Sequence, residues 1–453
     1  MRVLTARRNL IEADQKPYPL AFNSQIRMKK SVLLGIVVVV VAVAAAAAFL
    51  LGTQQAAPVS EPAPEQKVIK VGVLCDLTGP TSEQGKPACL GFMDAVEWFE
   101  KNYPLPKGYK VELIWVDYSY KVPEAQAAYE RFKAMGAKFI FLYGTGDTLA
   151  LAPQATMDKI PVSSWSLDAK LAKKETEYFF FPFPDYSSQG RAMVMFIAEK
   201  WKEMYGGKPP RPPRLGLAYP NNPYGLAPIE AIKDMAKQLG VELCPDQIVD
   251  LTAVDATAQM LKFKECGADF IWTGGTAAST VVVMRDAKKV GLNAPVITNI
   301  YGINEAYIRA NPDATEDNYA LRPAVSYYPD IERGDTPAAK IIREFAKAKG
   351  REPYTELNLA YLGGWVQINI LYKALRDVIN NGWEITGENI WKALTSIRDW
   401  DFSPLTGLVV DKYTYTPEDR RPHMTVGIYK ITKGEMTLEK VIKLERKPEW
   451  FGY

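Results

Sequence analysis

Histidine is almost missing from this chain of 453 residues: His423 stands alone, in the polar stretch "RRPHM". Metal centres and acid–base catalysis draw on clustered His, Cys and carboxylate groups, so their shortage argues against both. No GxxxxGK[ST] loop occurs. The stretch "GTGDTL" (residues 144–149) lacks the third glycine of a dinucleotide fingerprint and follows the third strand pattern rather than the first. Excess charge is also lacking. The formal net charge is +3, but seven basic and two acidic groups fall within residues 1–30, leaving 48 basic against 50 acidic downstream. That balance offers no basic face for nucleic acid. His423 and the carboxylate pairs Glu175/Glu177 and Glu418/Asp419 sit in polar loops and are expected to be solvated. No catalytic residue, metal or cofactor is expected.

Cysteine is scarce too. Cys75, Cys89, Cys244 and Cys266 allow three pairings, of which 75–89 with 244–266 is the local one. A chain able to bury a large core does not need staples, and Cys89 shares a helical stripe with Phe92, Val96 and Phe99. Four buried free thiols are therefore the expectation.

One long apolar run is present. "VLLGIVVVVVAVAAAAAFLLG" (residues 32–52) has no charge over 21 residues and follows "RMKK". It reads as a signal peptide, with Met28 as an alternative start, or as a retained transmembrane anchor. Either sends the rest of the chain out of the cytoplasm. The expected layout is a stub with leader or anchor over 1–53 and a Pro/Ala-rich linker over 54–66.

Beyond the linker, strand and helix patterns alternate, as in a parallel sheet covered by helices. "VIKVGVLC", "YKVELIWVD", "AKFIFLYG" and "PVSSWS" read as strands separated by helices such as 88–100 and 123–136. The order recurs in "RLGLAYP", a helix over 224–239, "VELC", a helix over 255–266, "ADFIWTGG", a helix over 279–290 and "APVIT". The recurrence holds residue by residue. "MGAKFIFLYGTGDT" (135–148) aligns with "CGADFIWTGGTAAS" (266–279), matching Gly136, Ala137, Phe139, Ile140, Gly144 and Thr145 to Gly267, Ala268, Phe270, Ile271, Gly275 and Thr276. Two lobes of one α/β design follow: 67–188, completed by about 323–400, and 189–322, completed by about 401–453. A long helix is expected over 357–379, and strands over 401–434.

In open α/β sheets, ligands bind at the C-terminal strand ends beside helix N-termini. The loops there are "DLTGPTSEQG", "YGTGDT" and "SWSLD" in one lobe and "YPNNPYG", "GGTAAS" and "TNIYG" in the other. Their hydroxyls, glycines and aromatics suit reversible capture of a small polar molecule.

Those stretches, in that order over some 360 residues, resemble the Leu/Ile/Val-binding (branched-chain amino-acid) family of extracytoplasmic solute-binding proteins that serve ABC importers. The resemblance implies a type I periplasmic-binding-protein fold, with two doubly wound parallel-sheet lobes joined by a three-crossover hinge. It also implies closure on a ligand delivered to a membrane permease; the duplicated lobe, with binding loops on both copies, leads to the expectation of a monomer. By position, Thr145 would bond the ligand carboxylate, with main-chain N–H groups near Gly146 and Asp147. Ser166 and Asp168 would form the neighbouring first-lobe loop. Tyr224 and Thr276 would close from the second lobe, and Gln84 would line the side-chain pocket. Where amino-acid binders place an acid for the ammonium, this chain has Asn299 and Tyr301. Asp147 or Asp168 would then have to replace it, or the ligand carries no ammonium. A sensing domain of the same fold, reporting to a partner without transport, is the alternative reading.

Overall fold

The structure is a computed structural model that describes residues 67–322, 334–351, 358–409 and 411–453. The expected leader or anchor, the linker and Leu357 lie outside these residues. Among the described residues no helix is long and apolar enough to cross a membrane.

Two α/β lobes are stacked from two sheets. The first sheet contains β1 (Lys67–Cys75), β2 (Tyr109–Asp117), β3 (Phe139–Leu142), β4 (Val162–Ser164) and β5 (Phe179–Phe180). Its order is β2-β1-β3-β4-β5 and every pairing is parallel, with Lys67 opposite Tyr109 and Cys75 opposite Asp117. Helices α1 (Ser82–Asn102), α2 (Val122–Ala134) and α3 (Thr145–Met157) connect the strands. All four residues of β3 are buried, as expected for a strand covered on both faces.

The second sheet is eight-stranded: β6 (Arg214–Tyr219), β7 (Glu242–Leu243), β8 (Gln247–Ile248), β9 (Phe270–Thr273), β10 (Val296–Thr298), β11 (Tyr319–Arg322), β12 (Thr425–Thr432) and β13 (Glu435–Lys443). Strands β6 to β11 pair in parallel, whereas β12 and β13 return as an antiparallel hairpin on β11. The helices here are α4 (Tyr186–Met204), α5 (Pro223–Leu226), α6 (Ile229–Leu239), α7 (Thr257–Cys266), α8 (Ala277–Lys289), α9 (Glu305–Ala310) and α10 (Pro312–Thr315). Pro228, which has no N–H to donate, splits the single helix expected over 224–239 into α5 and α6.

The internal repeat survives in three dimensions. Gly136 and Gly267 both take left-handed backbone, at φ 81° and 72°, and both lead into a central strand, β3 or β9. Thr145 then opens α3, and Thr276 is the N-cap of α8.

The chain crosses from the first lobe to the second at Phe181 to Asp185, returns before α11 (Pro337–Ala348), and crosses again between Trp400 and Thr425. α11, α12 (Leu359–Asn380) and α13 (Gly387–Leu394) pack on the first lobe. α12 lies against α1 backbone to backbone: a Cβ on Gly91 would stand 2.2 Å from the Tyr361 carbonyl oxygen. The first and last crossovers run together. Tyr413 and Tyr415 donate to the carbonyls of Pro182 and Phe181, each at 2.7 Å, and buried Arg421 reaches Asp185 at 3.0 Å.

Several expectations need correction. The cysteines are not free thiols: Cys75 pairs with Cys89 and Cys244 with Cys266, at Cα separations of 6.0 and 5.9 Å. The α1 stripe carrying Cys89 faces the sheet just where β1 ends in Cys75, so burial brings the sulfurs together. His423 is buried rather than solvated. Its Nδ1 accepts from the Thr425 N–H at 3.2 Å, and burial pushes its pKa down to about 4. Asp419 is tied to Arg421 and Arg446. The strands expected over 401–434 begin only at Thr425. Before that the path is irregular, with one isolated bridge from Trp400 to Tyr413, because its tyrosines are pinned singly to the first crossover.

Candidate functional site

The C-terminal ends of both sheets face a cavity with about 400 Å³ of space between its atoms, mouth included. Its wall is made by Thr81, Gln84, Tyr120, Tyr143, Gly144, Thr145, Trp165, Tyr186, Tyr224, Thr276, Tyr301 and Ala360. Five helices start there. Thr81 is the N-cap of α1, Gly144 of α3 and Thr276 of α8; Tyr186 opens α4, and Ala360 is the second residue of α12. Each start presents N–H groups without intrahelical partners and a positive dipole end.

The first turn is held by a buried acid that never reaches the cavity. Asp76 ends β1 and accepts from the N–H groups of Gly79 (2.7 Å) and Thr81 (3.0 Å) and from the Thr81 hydroxyl (2.6 Å). Asp147 is placed similarly behind α3. It accepts from the Gly144 N–H at 3.1 Å and from the Tyr118 hydroxyl at 3.0 Å. Burial lifts its pKa to about 7 against the pull of these bonds. Asp168 is the N-cap of a short 3-10 turn, accepting from the Lys170 N–H at 2.9 Å, and burial raises its pKa. Both carboxylates offered for an ammonium are thus engaged by the chain itself, and neither lines the cavity.

Of the nine residues singled out from sequence, Gln84, Thr145, Tyr224 and Thr276 line the cavity. Ser166 stands behind the wall and donates to the Thr145 hydroxyl at 3.1 Å. Gly146 lies one residue into α3, away from the wall. Asn299 holds two wall residues: its Nδ2 donates to the Tyr224 hydroxyl at 2.7 Å, and its Oδ1 accepts from the Tyr301 N–H at 2.9 Å. Tyr224 in turn donates to the Gly275 carbonyl at 3.1 Å.

Of the aromatic wall, Tyr143, Trp165, Tyr224 and Tyr301 lie in the loops singled out from sequence, and Tyr120 and Tyr186 are the residues that sequence reasoning missed. Trp165 and Tyr301 meet edge to face across the lobes, with ring centroids 6.4 Å apart, and the Tyr301 hydroxyl donates to the Trp165 carbonyl at 2.7 Å. Tyr186 donates to the same carbonyl at 3.1 Å and packs on Tyr224 at 5.7 Å. Tyr120 and Tyr143 complete the first-lobe side, 6.2 Å apart. The available signal for Tyr120 was its place a few residues after a strand.

A fold of two parallel sheets with a small-molecule cavity at their facing strand ends defines a two-lobed solute binder. The match to known proteins agrees: the model of the periplasmic binding protein family fits residues 68–435, and the chain belongs to that family. It is a binding protein, not an enzyme. A leucine-, isoleucine-, valine-, threonine- and alanine-binding protein of Pseudomonas aeruginosa is 22% identical over 299 residues, covering 63% of this chain and 72% of that protein. The substrate-binding protein of an ABC transporter from Aeropyrum pernix superposes with a TM-score of 0.75 at 28% identity, covering 85% of this chain and 98% of that one. A branched-chain amino acid ABC transporter protein from Thermus thermophilus, solved with bound valine, gives 0.75 at 22% identity, over 84% and 97% of the two chains.

Proposed function

We propose that this protein is the extracytoplasmic solute receptor of an ABC importer, capturing an amino acid or related small carboxylate or amide by hinge closure between its lobes. One observation carries the reading. The helix starts of α1, α3 and α12 from one lobe and of α4 and α8 from the other converge on a single aromatic cavity. Converging positive helix ends favour an anion, and Thr145, opening α3, offers it a hydroxyl. Walls drawn from both lobes mean that a ligand touching all of them favours the arrangement in which the lobes meet. The two disulfides suit an oxidising compartment outside the cytoplasm. The permease that would receive the ligand is the implied partner, and a monomer is the expected form.

Calorimetry with a panel of amino acids, small carboxylates and amides tests this. A ligand at 100 times its dissociation constant should stabilise the protein by about 2.7 kcal/mol. Thr145→Ala should then lose roughly 1.5–3 kcal/mol of binding, the worth of a hydrogen bond to a charged group. Unchanged affinity would remove Thr145 from the site. An unchanged radius of gyration on saturation would refute closure.

A further inference from the structure

Besides the Thr276 hydroxyl, which can donate or accept, two donor-only side-chain groups of the cavity wall are buried without any hydrogen-bond partner: the Trp165 indole Nε1–H and the Gln84 amide Nε2. Both residues are more than nine-tenths buried, at 4% and 6% exposure. A buried donor left unmade is costly, so two of them in one small cavity point to a ligand that satisfies them. Their chemistry is specific. An indole N–H and an amide nitrogen donate only; neither can accept. The orientation of Trp165 is fixed from behind: its benzo edge is pressed on α12, where a Cβ at Gly363 would fall 2.5 Å from it. The N–H edge is turned away from that helix.

The rest of the wall points the same way. Among the described residues no carboxylate lines the cavity; Asp76, Asp147 and Asp185 sit behind the starts of α1, α3 and α4. The unpartnered acceptors at hand are the Thr276 hydroxyl in the wall and Glu83 Oε1, in the first turn of α1 outside it. Burial raises the Glu83 carboxyl pKa, opposed by the Thr276 hydroxyl. Asn299, standing where an ammonium-binding acid was sought, has both ends of its amide occupied by the tyrosines it orients.

We propose that the ligand is a small carboxylate carrying a second hydrogen-bond acceptor and no ammonium group, the acceptor being met by Trp165 Nε1 and Gln84 Nε2. This deepens the receptor reading above and rests on it. An α-keto, hydroxy or more distant keto acid with a short apolar body fits the class. A zwitterionic amino acid fits less well, because among the described residues no carboxylate lines the wall to meet its ammonium.

The test is a matched series measured by calorimetry: leucine, its α-keto acid, the acid with a plain methylene at that carbon, and an isomeric acid with the carbonyl further along. At least one keto acid should bind about tenfold or more tighter than the methylene acid, one hydrogen bond's worth, and tighter than leucine. Trp165→Phe and Gln84→Leu should each shrink that preference, read within each variant as the ratio of keto-acid to methylene-acid affinity. Two variants on different elements guard against misfolding of either one. If leucine binds tightest, the inference fails while the receptor reading stands, and Glu83→Gln then shows whether Glu83 holds the ammonium. Methylene and keto acids binding alike would also overturn the inference. If no member binds, both it and the small-carboxylate receptor reading fall.

Discussion

Removing one hydroxyl should separate ligand capture from fold stability. In Tyr301→Phe the ring keeps its contacts with Trp165, Tyr186 and Tyr224, whose centroids all lie 6.4 Å away. What is lost is the 2.7 Å bond to the Trp165 carbonyl, which joins a loop after β10 to a loop after β4. A neutral buried hydrogen bond contributes about 1 kcal/mol net, and up to about 3 when its partner is stranded. The Trp165 carbonyl is not stranded, because Tyr186 still donates to it at 3.1 Å. The lower figure therefore applies. Since the bond spans the lobes, its loss should fall on the lobe-closed, ligand-bound form, weakening binding about fivefold for ~1 kcal/mol. Calorimetry with a ligand found by the panel measures this, and the melting temperature of the ligand-free protein should stay within about a degree, since ~1 kcal/mol is diluted over so large a chain. Unchanged affinity alongside a lower ligand-free melting temperature would refute the reasoning, because the bond would then belong to the resting fold.

Replacing Cys244 and Cys266 by Ser opens a loop of separation 22 and should cost about 3 kcal/mol by chain entropy, with little change in affinity. Replacing Cys75 and Cys89 should cost a similar ~3 kcal/mol and also weaken binding, because Cys75 precedes the Asp76 turn that starts α1 at the cavity. Equal effects of the two pairs on affinity would contradict this. His423 is held neutral with a pKa near 4, below its unfolded value, so the folded form binds fewer protons in between. Its contribution is intact above about pH 6.5 and is lost as pH falls towards 4, with a slope of up to about 1.4 kcal/mol per unit. Chemical denaturation across that window should show the slope flattened in His423→Asn; an identical profile would mean other groups govern acid sensitivity.

Much of the architecture was readable because the sequence states it twice. The run from Gly136 to Thr145 and its copy from Gly267 to Thr276 give the same turn, strand and helix start, fixed by local chemistry that does not depend on distant contacts. The errors fall where tertiary contacts decide. Cys89 was correctly placed on the buried stripe of α1, but whether its sulfur meets Cys75 depends on where that stripe lands on β1. Residues 401–424 alternate like strands, yet Tyr413 and Tyr415 are held by carbonyls of a crossover more than two hundred residues earlier. His423 looks solvated beside two arginines until Arg420 and Arg421 are seen to be buried with it.

The site shows the same division more sharply. Thr145, Thr276, Gln84 and Tyr224 were legible because they sit at strand ends or helix starts, positions set by topology. The roles of Asp147 and Asp168 were not, since a short acidic side chain at such a place can serve either a ligand or its own backbone. Here both serve the backbone. If Asp147 were to turn towards an ammonium it would leave the buried Tyr118 hydroxyl without its acceptor, while the Gly144 N–H would keep only the Tyr118 oxygen, at 3.1 Å. Burial raises its pKa to about 7 against the bonds it accepts. The consequence reaches Asn299, a neutral residue that would be a poor counter-ion but is well suited to hold Tyr224 and Tyr301 together. An acid there could accept from the Tyr301 N–H but could not donate to the Tyr224 hydroxyl, which in turn donates to Gly275. A neutral amide at position 299 and an acid-free wall therefore go together: the residue that joins Tyr224 to Tyr301 stands where the family resemblance led an ammonium-binding acid to be sought.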